Sequence, residues 1–219
     1  MTRMNRIGSK ILMGLGVLLF VMACLAYLYN IRADRQAEQS AREILNRMSY
    51  IETTTETTTE TTIKTADAEV LDTQSENSDR VNSHAQEDKI EEMYRQAIGV
   101  LEIPKLERRL PVLDICTPES LQYSVCRYAG EGIGKPQSLV IAGHNYKSHF
   151  AGIHQLDIGD EAAYIDLEGQ IYHYRVSAVE TVDGKDVERM LSGDDWDMTL
   201  FTCDYDRMRR VAIRLQQYD

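Results

Sequence analysis

Short apolar segments separated by turn residues fill the chain from about Lys89 to its C-terminus, and they constrain the fold more than any other feature. They are rich in β-branched and aliphatic residues, as β-strands are. The predicted strands cover residues 98–104, 110–114, 138–144, 161–167, 170–179, 198–203 and 209–215. Thr117 and Pro118 indicate the N-cap and first position of a short helix. About seven or eight short strands with one or two helices predict a β-barrel or a sandwich rather than alternating strands and helices.

The last two predicted strands place a thiol beside an arginine. Cys203 ends the first strand, Asp204, Tyr205 and Asp206 form a short turn, and Arg209 opens the second strand. A short loop favours antiparallel pairing, so the cysteine and an arginine are expected on neighbouring strand ends. A thiol becomes a useful nucleophile beside a base or a cation, and an arginine can stabilise an oxyanion. Cys203 is therefore the candidate nucleophile, although a lone cysteine is more often a small buried apolar residue.

The candidate base is His144, which lies where the apolar run 138–143 stops. Metal binding is the alternative, because His144, His149 and His154 follow one another at steps of five residues. On a helix such steps turn each side chain by about 140° from the last, so the three do not share a face. The sequence also has no C-x-x-C pair. It therefore predicts neither a metal nor another cofactor.

An almost wholly apolar run extends from Ile11 to Ile31 and predicts a transmembrane helix, since about 20 such residues cross a bilayer core. Basic residues in the preceding ten positions place residues 1–10 in the cytoplasm and the rest outside, although Arg32 and Arg35 weaken that signal. A cleaved signal peptide and lipidation at Cys24 are the alternatives. Because the run continues well past Cys24, an uncleaved anchor fits best, and all three alternatives export the remainder of the chain.

Residues 32–88 are predicted to be an extracellular polar stalk. Residues 33–50 have helix-forming composition and would extend the membrane helix, whereas 51–88 are rich in Thr, Ser, Glu and Asp and too polar to bury a core. The formal net charge of −11 argues against nucleic acid as a partner. Cys116 and Cys126 lie in the exported part and could form a disulfide, which the sequence leaves open.

Two blocks resemble the signature motifs of the sortases. They are Leu139–His144 and Thr199–Cys203, the latter followed by Arg210–Ile213. The similarity extends to residues 101–112 and 150–160 and covers roughly residues 95–217. Sortases are membrane-anchored cysteine transpeptidases, mainly of Gram-positive bacteria. The resemblance implies a mainly β protein whose catalytic domain, residues 89–219, is a closed eight-stranded barrel with one or two short helices, preceded by the membrane helix and a disordered stalk.

The resemblance also implies roles for individual residues. Cys203 would be the nucleophile, His144 the general acid/base and Arg210 the residue that stabilises substrate or oxyanion, with Arg209 as the alternative arginine. Thr202 would assist with the oxyanion. The thiolate would attack the Thr–Gly amide of a Leu-Pro-x-Thr-Gly-like sorting signal in a secreted protein. An amine of a peptidoglycan precursor would then resolve the thioacyl enzyme.

Two departures bear on the subclass. The connection from Val179 to Met198 is too short for the helical insertion of class B sortases, and no aspartate–aromatic lid motif of class C precedes the barrel. The subclass stays open, with class D- or A-like sortases favoured. Two other functions stay open as well, a hydrolytic cysteine peptidase and a non-catalytic, membrane-tethered domain that binds the cell wall.

Overall fold

The computed structural model describes residues 2–55, 77–132, 139–191, 195–203 and 208–218. Outside these ranges lie residues 56–76 of the predicted stalk and the turn predicted at 204–206. Residues 133–136 of the glycine-rich segment 130–136, a further predicted turn, also lie outside them. By its contacts the chain divides into two compact units, Met1–Gln36 and Ala37–Asp219.

The second unit contains eight strands. They are β1 (Ala97–Ile103), β2 (Arg108–Leu113), β3 (Val125–Ala129), β4 (Leu139–Ala142), β5 (Glu161–Ile165), β6 (Ile171–Asp183), β7 (Met198–Cys203) and β8 (Arg209–Tyr218). They form a closed barrel in the order β1-β2-β3-β4-β7-β8-β6-β5, and β5 pairs with β1 to close it. The β2–β3 and β4–β7 pairs are parallel, and the other pairs are antiparallel. The predicted closed eight-stranded barrel is confirmed.

The barrel core follows from the two-residue period of each strand. Alternate residues of β8, namely Val211, Ile213 and Leu215, belong to one central cluster that includes Leu200 of β7 and Ile141 of β4. The intervening residues face the other side, where a second cluster lies. It contains Val140, Ala142, Val182, Met190, Phe201 and Ala212. The strands of the barrel are therefore covered on both faces in this region.

Helix α1 runs from Thr2 to Thr55 and crosses from the first unit into the second. Its large apolar side chains from Leu12 to Tyr29 are exposed. Among the described residues, α1 is the one helix long and apolar enough to cross a membrane, with a mean hydropathy of 2.2 in its most apolar window. An N-terminal signal sequence would have the same composition, so this helix identifies a candidate span only.

Two helical segments pack onto the barrel within the second unit. Ile44 of α1 is fully buried in a cluster with Ile90 and Met93, which belong to helix α2 (Asn77–Arg95). Arg47 of α1 also forms an ion pair of 2.6 Å with Glu91 of α2, which links the two helices. The structure thus differs from the predicted stalk at residues 77–88, where it has the first part of α2. The sparse apolar residues at the end of α2 suffice to anchor this polar helix.

Two further elements are absent from the sequence-based prediction. They are β3 and the short helix α3 (Val187–Leu191), which lies in the connection between β6 and β7. Single turns of 3₁₀-helix occur at Pro104–Leu106, Ser120–Gln122 and Ile153–Gln155. The second of these lies near the short helix predicted from Thr117 and Pro118, but it begins at Ser120 and its N-cap residue is Glu119.

Candidate functional site

Three neighbouring strands bring the predicted site residues to one end of the barrel. β4 and β7 are parallel, with Ala142 in register with Phe201, and the Gly143 N–H donates to the Phe201 carbonyl at 3.1 Å. His144 follows Ala142 by two residues, as Cys203 follows Phe201. The backbone positions of the candidate base and nucleophile therefore lie side by side at the same ends of adjacent strands.

The partner of Cys203 on the next strand is Arg210. β7 and β8 are antiparallel, and their last register pair joins the Cα atoms of Cys203 and Arg210. Directly opposed residues in such a ladder have Cα atoms about 4.5–5.5 Å apart. Arg209 pairs with Asp183 of β6 and precedes the last described β7–β8 register pair by one residue. Of the two candidate arginines, Arg210 is therefore the one whose Cα atom is paired with that of Cys203.

Space for the Arg210 guanidinium comes from Gly184. A Cβ atom at Gly184 would lie 3.1 Å from Arg210 Nη1 and 2.7 Å from the Met208 carbonyl oxygen, so a larger residue would displace the start of β8. Arg210 Nη1 donates to the Arg209 carbonyl at 3.2 Å. Arg210 is partly buried, whereas Arg209 is exposed.

The loop that follows β4 fixes the position of His144. The Phe150 N–H donates to the His144 carbonyl at 3.1 Å, which folds the loop back on itself. The Phe150 ring lies so close to Gly143 that a Cβ atom there would be 2.5 Å from Cδ2. Position 143 therefore requires glycine, and the packing of Phe150 against it holds the start of the loop.

The His144 imidazole is partly buried next to an aromatic side chain. Its ring centroid lies 4.8 Å from that of Tyr146, with the planes tilted by 43°. Burial lowers the pKa of His144 from its ordinary value of about 6.5, because desolvation disfavours the imidazolium. A neutral imidazole near neutral pH is able to accept a proton from a thiol.

Thr202 lies on the interior side of β7. It is 3% exposed and pairs with Val211, which packs against the central cluster. Its Oγ1 is buried and has no hydrogen-bond partner in the part of the chain that the structure describes. The Thr202 side chain is therefore part of the packed interior of the barrel.

Trp196, which lies just before β7, contacts a buried arginine. The Arg214 guanidinium lies 4.3 Å from the centroid of its ring. Arg214 is fully buried and makes five hydrogen bonds. They go to Glu180 Oε2 (3.2 and 3.1 Å), Thr199 Oγ1 (2.9 Å), the Met190 carbonyl (3.0 Å) and the Arg189 carbonyl (2.6 Å). Sequence analysis missed this residue, whose only signal was its charge within an apolar strand.

Two further histidines, His149 and His154, lie in the segment between β4 and β5, and two further cysteines, Cys116 and Cys126, lie before and within β3. His149 is buried, and its ring centroid lies 5.5 Å from that of Tyr146, whereas His154 is exposed. Within the described ranges no group of three or more His, Cys, Asp or Glu side chains is arranged to hold a metal ion. Cys126 is buried on β3, and Cys116 is partly buried beside it.

Comparison with known proteins identifies the fold and the family. The sequence-family model of the sortase domain matches residues 101–216, which is more than half of the 219-residue chain. No curated protein gave a match.

Several solved sortase structures are similar. Sortase C from Clostridium perfringens SM101 is 24% identical over 56% of this chain and 70% of that chain, with a TM-score of 0.50. The Clostridium perfringens sortase D5 transpeptidase is 20% identical over 63% and 89%, and Listeria monocytogenes sortase A is 21% identical over 57% and 88%, each with a TM-score of 0.52. At these identities the likeness concerns the fold, and the structures belong to different subclasses. The barrel has the sortase fold, and with the match of the family model over residues 101–216 it follows that the chain belongs to the sortase family.

Proposed function

We propose that Cys203 is the nucleophile of this sortase, with His144 as general acid/base and Arg210 as the residue that stabilises the oxyanion. Sortases are cysteine transpeptidases that act on secreted proteins bearing a sorting signal. The observation that carries the assignment is the register of three neighbouring strands, in which Ala142 pairs with Phe201 and Cys203 pairs with Arg210. The parallel β4–β7 pair supports the approach of base to nucleophile, and the antiparallel β7–β8 pair supports the choice of arginine.

The first half-reaction breaks the Thr–Gly amide of a Leu-Pro-x-Thr-Gly-like signal. The Cys203 thiolate forms a bond to the threonine carbonyl carbon, and negative charge moves to the carbonyl oxygen. The Arg210 guanidinium is the proposed donor to that oxygen, whereas the Thr202 hydroxyl, the second donor that the resemblance implies, is buried on the interior side of β7. The C–N bond then breaks, His144 gives its proton to the leaving glycine nitrogen, and a thioester remains on Cys203.

The second half-reaction transfers the acyl group to an amine. An amine of a peptidoglycan cross-bridge or of a lipid-linked precursor attacks the thioester carbonyl, and His144 accepts the proton that the amine loses. The C–S bond breaks and regenerates the thiolate. Water and amine compete for the same thioester, so the outcome depends on which of them reaches the carbonyl first.

The proposed location is the cell membrane, with the N-terminus in the cytoplasm and the barrel outside. The apolar helix from Leu12 onward supports the anchor, and Arg3, Arg6 and Lys10 before it support the orientation. A test uses protoplasts carrying a tag before Arg3. External protease is expected to remove the barrel and leave the tag, whereas loss of the tag with the barrel intact would reverse the orientation.

Substitution of the nucleophile tests the assignment of the site. Cys203→Ala should abolish cleavage of a quenched sorting-signal peptide, because the chemistry then lacks its attacking atom. Cys24→Ala is the matched control, since this cysteine lies in the apolar helix, and it should retain full activity. Cleavage by Cys203→Ala at the rate of the wild type would remove Cys203 from the mechanism.

A further inference from the structure

Two cysteines that the transpeptidation mechanism does not use lie in one apolar cluster beside β2 and β3. Cys126 is fully buried on β3, and Cys116 is partly buried in the connection from β2 to β3. In that cluster Cys116 packs against the buried residues, of which Cys126 is one. The Cys126 Sγ lies 3.7 Å from the Ser124 carbonyl oxygen, to which it can donate. The two thiols therefore share one packed region, and a side-chain hydrogen bond between them shifts their pKa values in opposite directions.

The backbone around the pair is held on both sides. Cys126 is in register with Leu113 of β2 and Ala142 of β4, so its place in the barrel is fixed. On the other side, the Thr117 N–H donates to Ser120 Oγ at 2.9 Å and the Ser120 N–H donates to Thr117 Oγ1 at 3.0 Å. These bonds hold the connection in a tight turn directly after Cys116, so the contact does not depend on a mobile loop.

We propose that Cys116 and Cys126 form an intramolecular disulfide in the exported domain, by exchange with a low-molecular-weight disulfide or with an envelope thiol–disulfide oxidoreductase. The proposal rests on the proposed extracellular location, because disulfides persist in oxidising compartments. It assigns these two thiols a chemistry separate from that of Cys203. The cross-link would tie the β2–β3 connection to the barrel beside β4, the strand that leads to His144.

The accessibility and the pKa of the two thiols indicate the order of the two exchange steps. Cys116 is the more accessible thiol, and the hydrogen bond from Cys126 lowers the pKa of Cys116, so it supplies the attacking thiolate. It attacks a sulfur of the external disulfide, forms a mixed disulfide and releases one external thiol, which carries off the proton of Cys116. Cys126 then attacks the Cys116 sulfur and releases the second external thiol with its own proton. The protein loses two electrons and two protons, and the external disulfide gains them.

The same hydrogen bond, together with burial, raises the pKa of Cys126. Cys126 is also fully buried, so we expect it to react with the neighbouring sulfur and not with external reagents. Closing the short loop between the two cysteines restricts the unfolded chain and should raise the melting temperature by roughly 5–10 °C for a domain of this size.

The test uses the full chain in detergent with Cys24→Ala and Cys203→Ala, which leaves Cys116 and Cys126 as its cysteines. After equilibration with oxidised glutathione, acid quenching and alkylation, peptide mass mapping is expected to show Cys116 linked to Cys126 and little alkylated thiol. Alkylation of both thiols, or a lasting glutathione adduct on Cys116, would overturn the proposal. Because neither the background nor the readout involves catalysis, this result is independent of the test of Cys203 as the nucleophile.

Single substitutions in that background test the order of steps. With Cys126→Ser, Cys116 should accumulate as the mixed disulfide with glutathione, whereas with Cys116→Ser, Cys126 should remain unmodified. The linked protein should melt at a higher temperature than the same protein after reduction. A linked protein that melts at a lower temperature would show that the bond forms only in a distorted structure and would contradict the proposal.

Discussion

Two adjacent arginines, Arg209 and Arg210, begin β8, and the strand register gives them different neighbours. Arg210 pairs with Cys203, and Arg209 pairs with Asp183 on the far side of the strand. Only Arg210 therefore lies directly across the ladder from the proposed nucleophile. Sequence alone could not decide between them, because adjacent residues of a strand differ only in register, which the sequence does not show.

Exchanging each arginine for alanine tests this difference. We expect Arg210→Ala to lower kcat/KM for a sorting peptide by about 10²–10³, the usual loss when a donor to an oxyanion is removed. Arg209→Ala is the matched control. It should lower kcat/KM by less than about tenfold, because the charge of an exposed side chain is screened by solvent. Steady-state kinetics on both proteins make the comparison, and a larger loss at Arg209 would reverse the assignment.

The pH dependence of activity should reflect the burial of His144. Since burial lowers the pKa of this imidazole, the acid limb of kcat/KM should have an apparent pKa below about 6.5. The neutral imidazole is retained as pH falls to that value and is protonated below it, so activity persists into mildly acidic solution. Because two interacting groups titrate together, the apparent pKa of this limb describes the His144–Cys203 pair and not a single residue. An acid limb above pH 7 would contradict this environment for His144.

At the level of elements, Arg214 connects β8 to β6, β7 and α3. Its five hydrogen bonds reach Glu180, Thr199 and the carbonyls of α3, and its guanidinium stacks on Trp196. Burial disfavours the charge and lowers the pKa of Arg214, while the bond to Glu180 opposes this. The arginine thus holds the connection between β6 and β7 against the strand that ends at Cys203.

Removing the Arg214 side chain should destabilise the domain. Arg214→Ala leaves Glu180 and two backbone carbonyls without their donor, and we expect a loss of about 3–5 kcal/mol in the free energy of unfolding. Arg189→Ala is the control, because this arginine is exposed and its ion pair with Glu180 is 3.5 Å long, and it should cost at most about 1 kcal/mol. Urea titration measures both. Equal values for the two variants would show that the buried network does not stabilise the fold.

The elements differ in how far the sequence predicts them. β7 and β8 are apolar and close together in the sequence, and their predicted antiparallel pairing is confirmed. β3 escaped prediction because Val125–Ala129 is short, includes the charged Arg127, and takes its place by pairing with β2 and β4. The β4–β7 pair joins segments far apart in the chain. Local pattern cannot reveal such a pair, so the approach of His144 to Cys203 followed from the family resemblance.

At the scale of the whole molecule, the folded unit begins before the barrel. Residues from Ala37 onward belong to it, and Ile44 of α1 is buried with Ile90 and Met93 of α2. The polar composition of 51–88 predicted no packed structure there. A polar helix can nevertheless be stable when one side contributes a few apolar residues to a neighbouring core.

Truncation of one buried residue tests whether α1 belongs to the folded unit. Ile44→Ala should lower the free energy of unfolding of the 37–219 unit by about 2–4 kcal/mol, because it leaves a cavity among α1, α2 and the barrel. Ile115→Ala, at a side chain that is 53% exposed, serves as the control and should change it by less than about 1 kcal/mol. Chemical denaturation followed by Trp196 fluorescence gives both values. If Ile44→Ala had no effect, α1 would contribute nothing to the stability of the domain.

The most direct test of the mechanism is to trap the acyl enzyme and follow its fate. Wild-type protein is mixed with a sorting peptide, quenched in acid and mapped by mass spectrometry, with and without triglycine as the amine acceptor. The account predicts a thioester of the cleaved peptide on Cys203 without amine, and its conversion to peptide–triglycine product when the amine is present. An acyl group on any other residue, or release of the hydrolysed peptide alone at saturating triglycine, would contradict it.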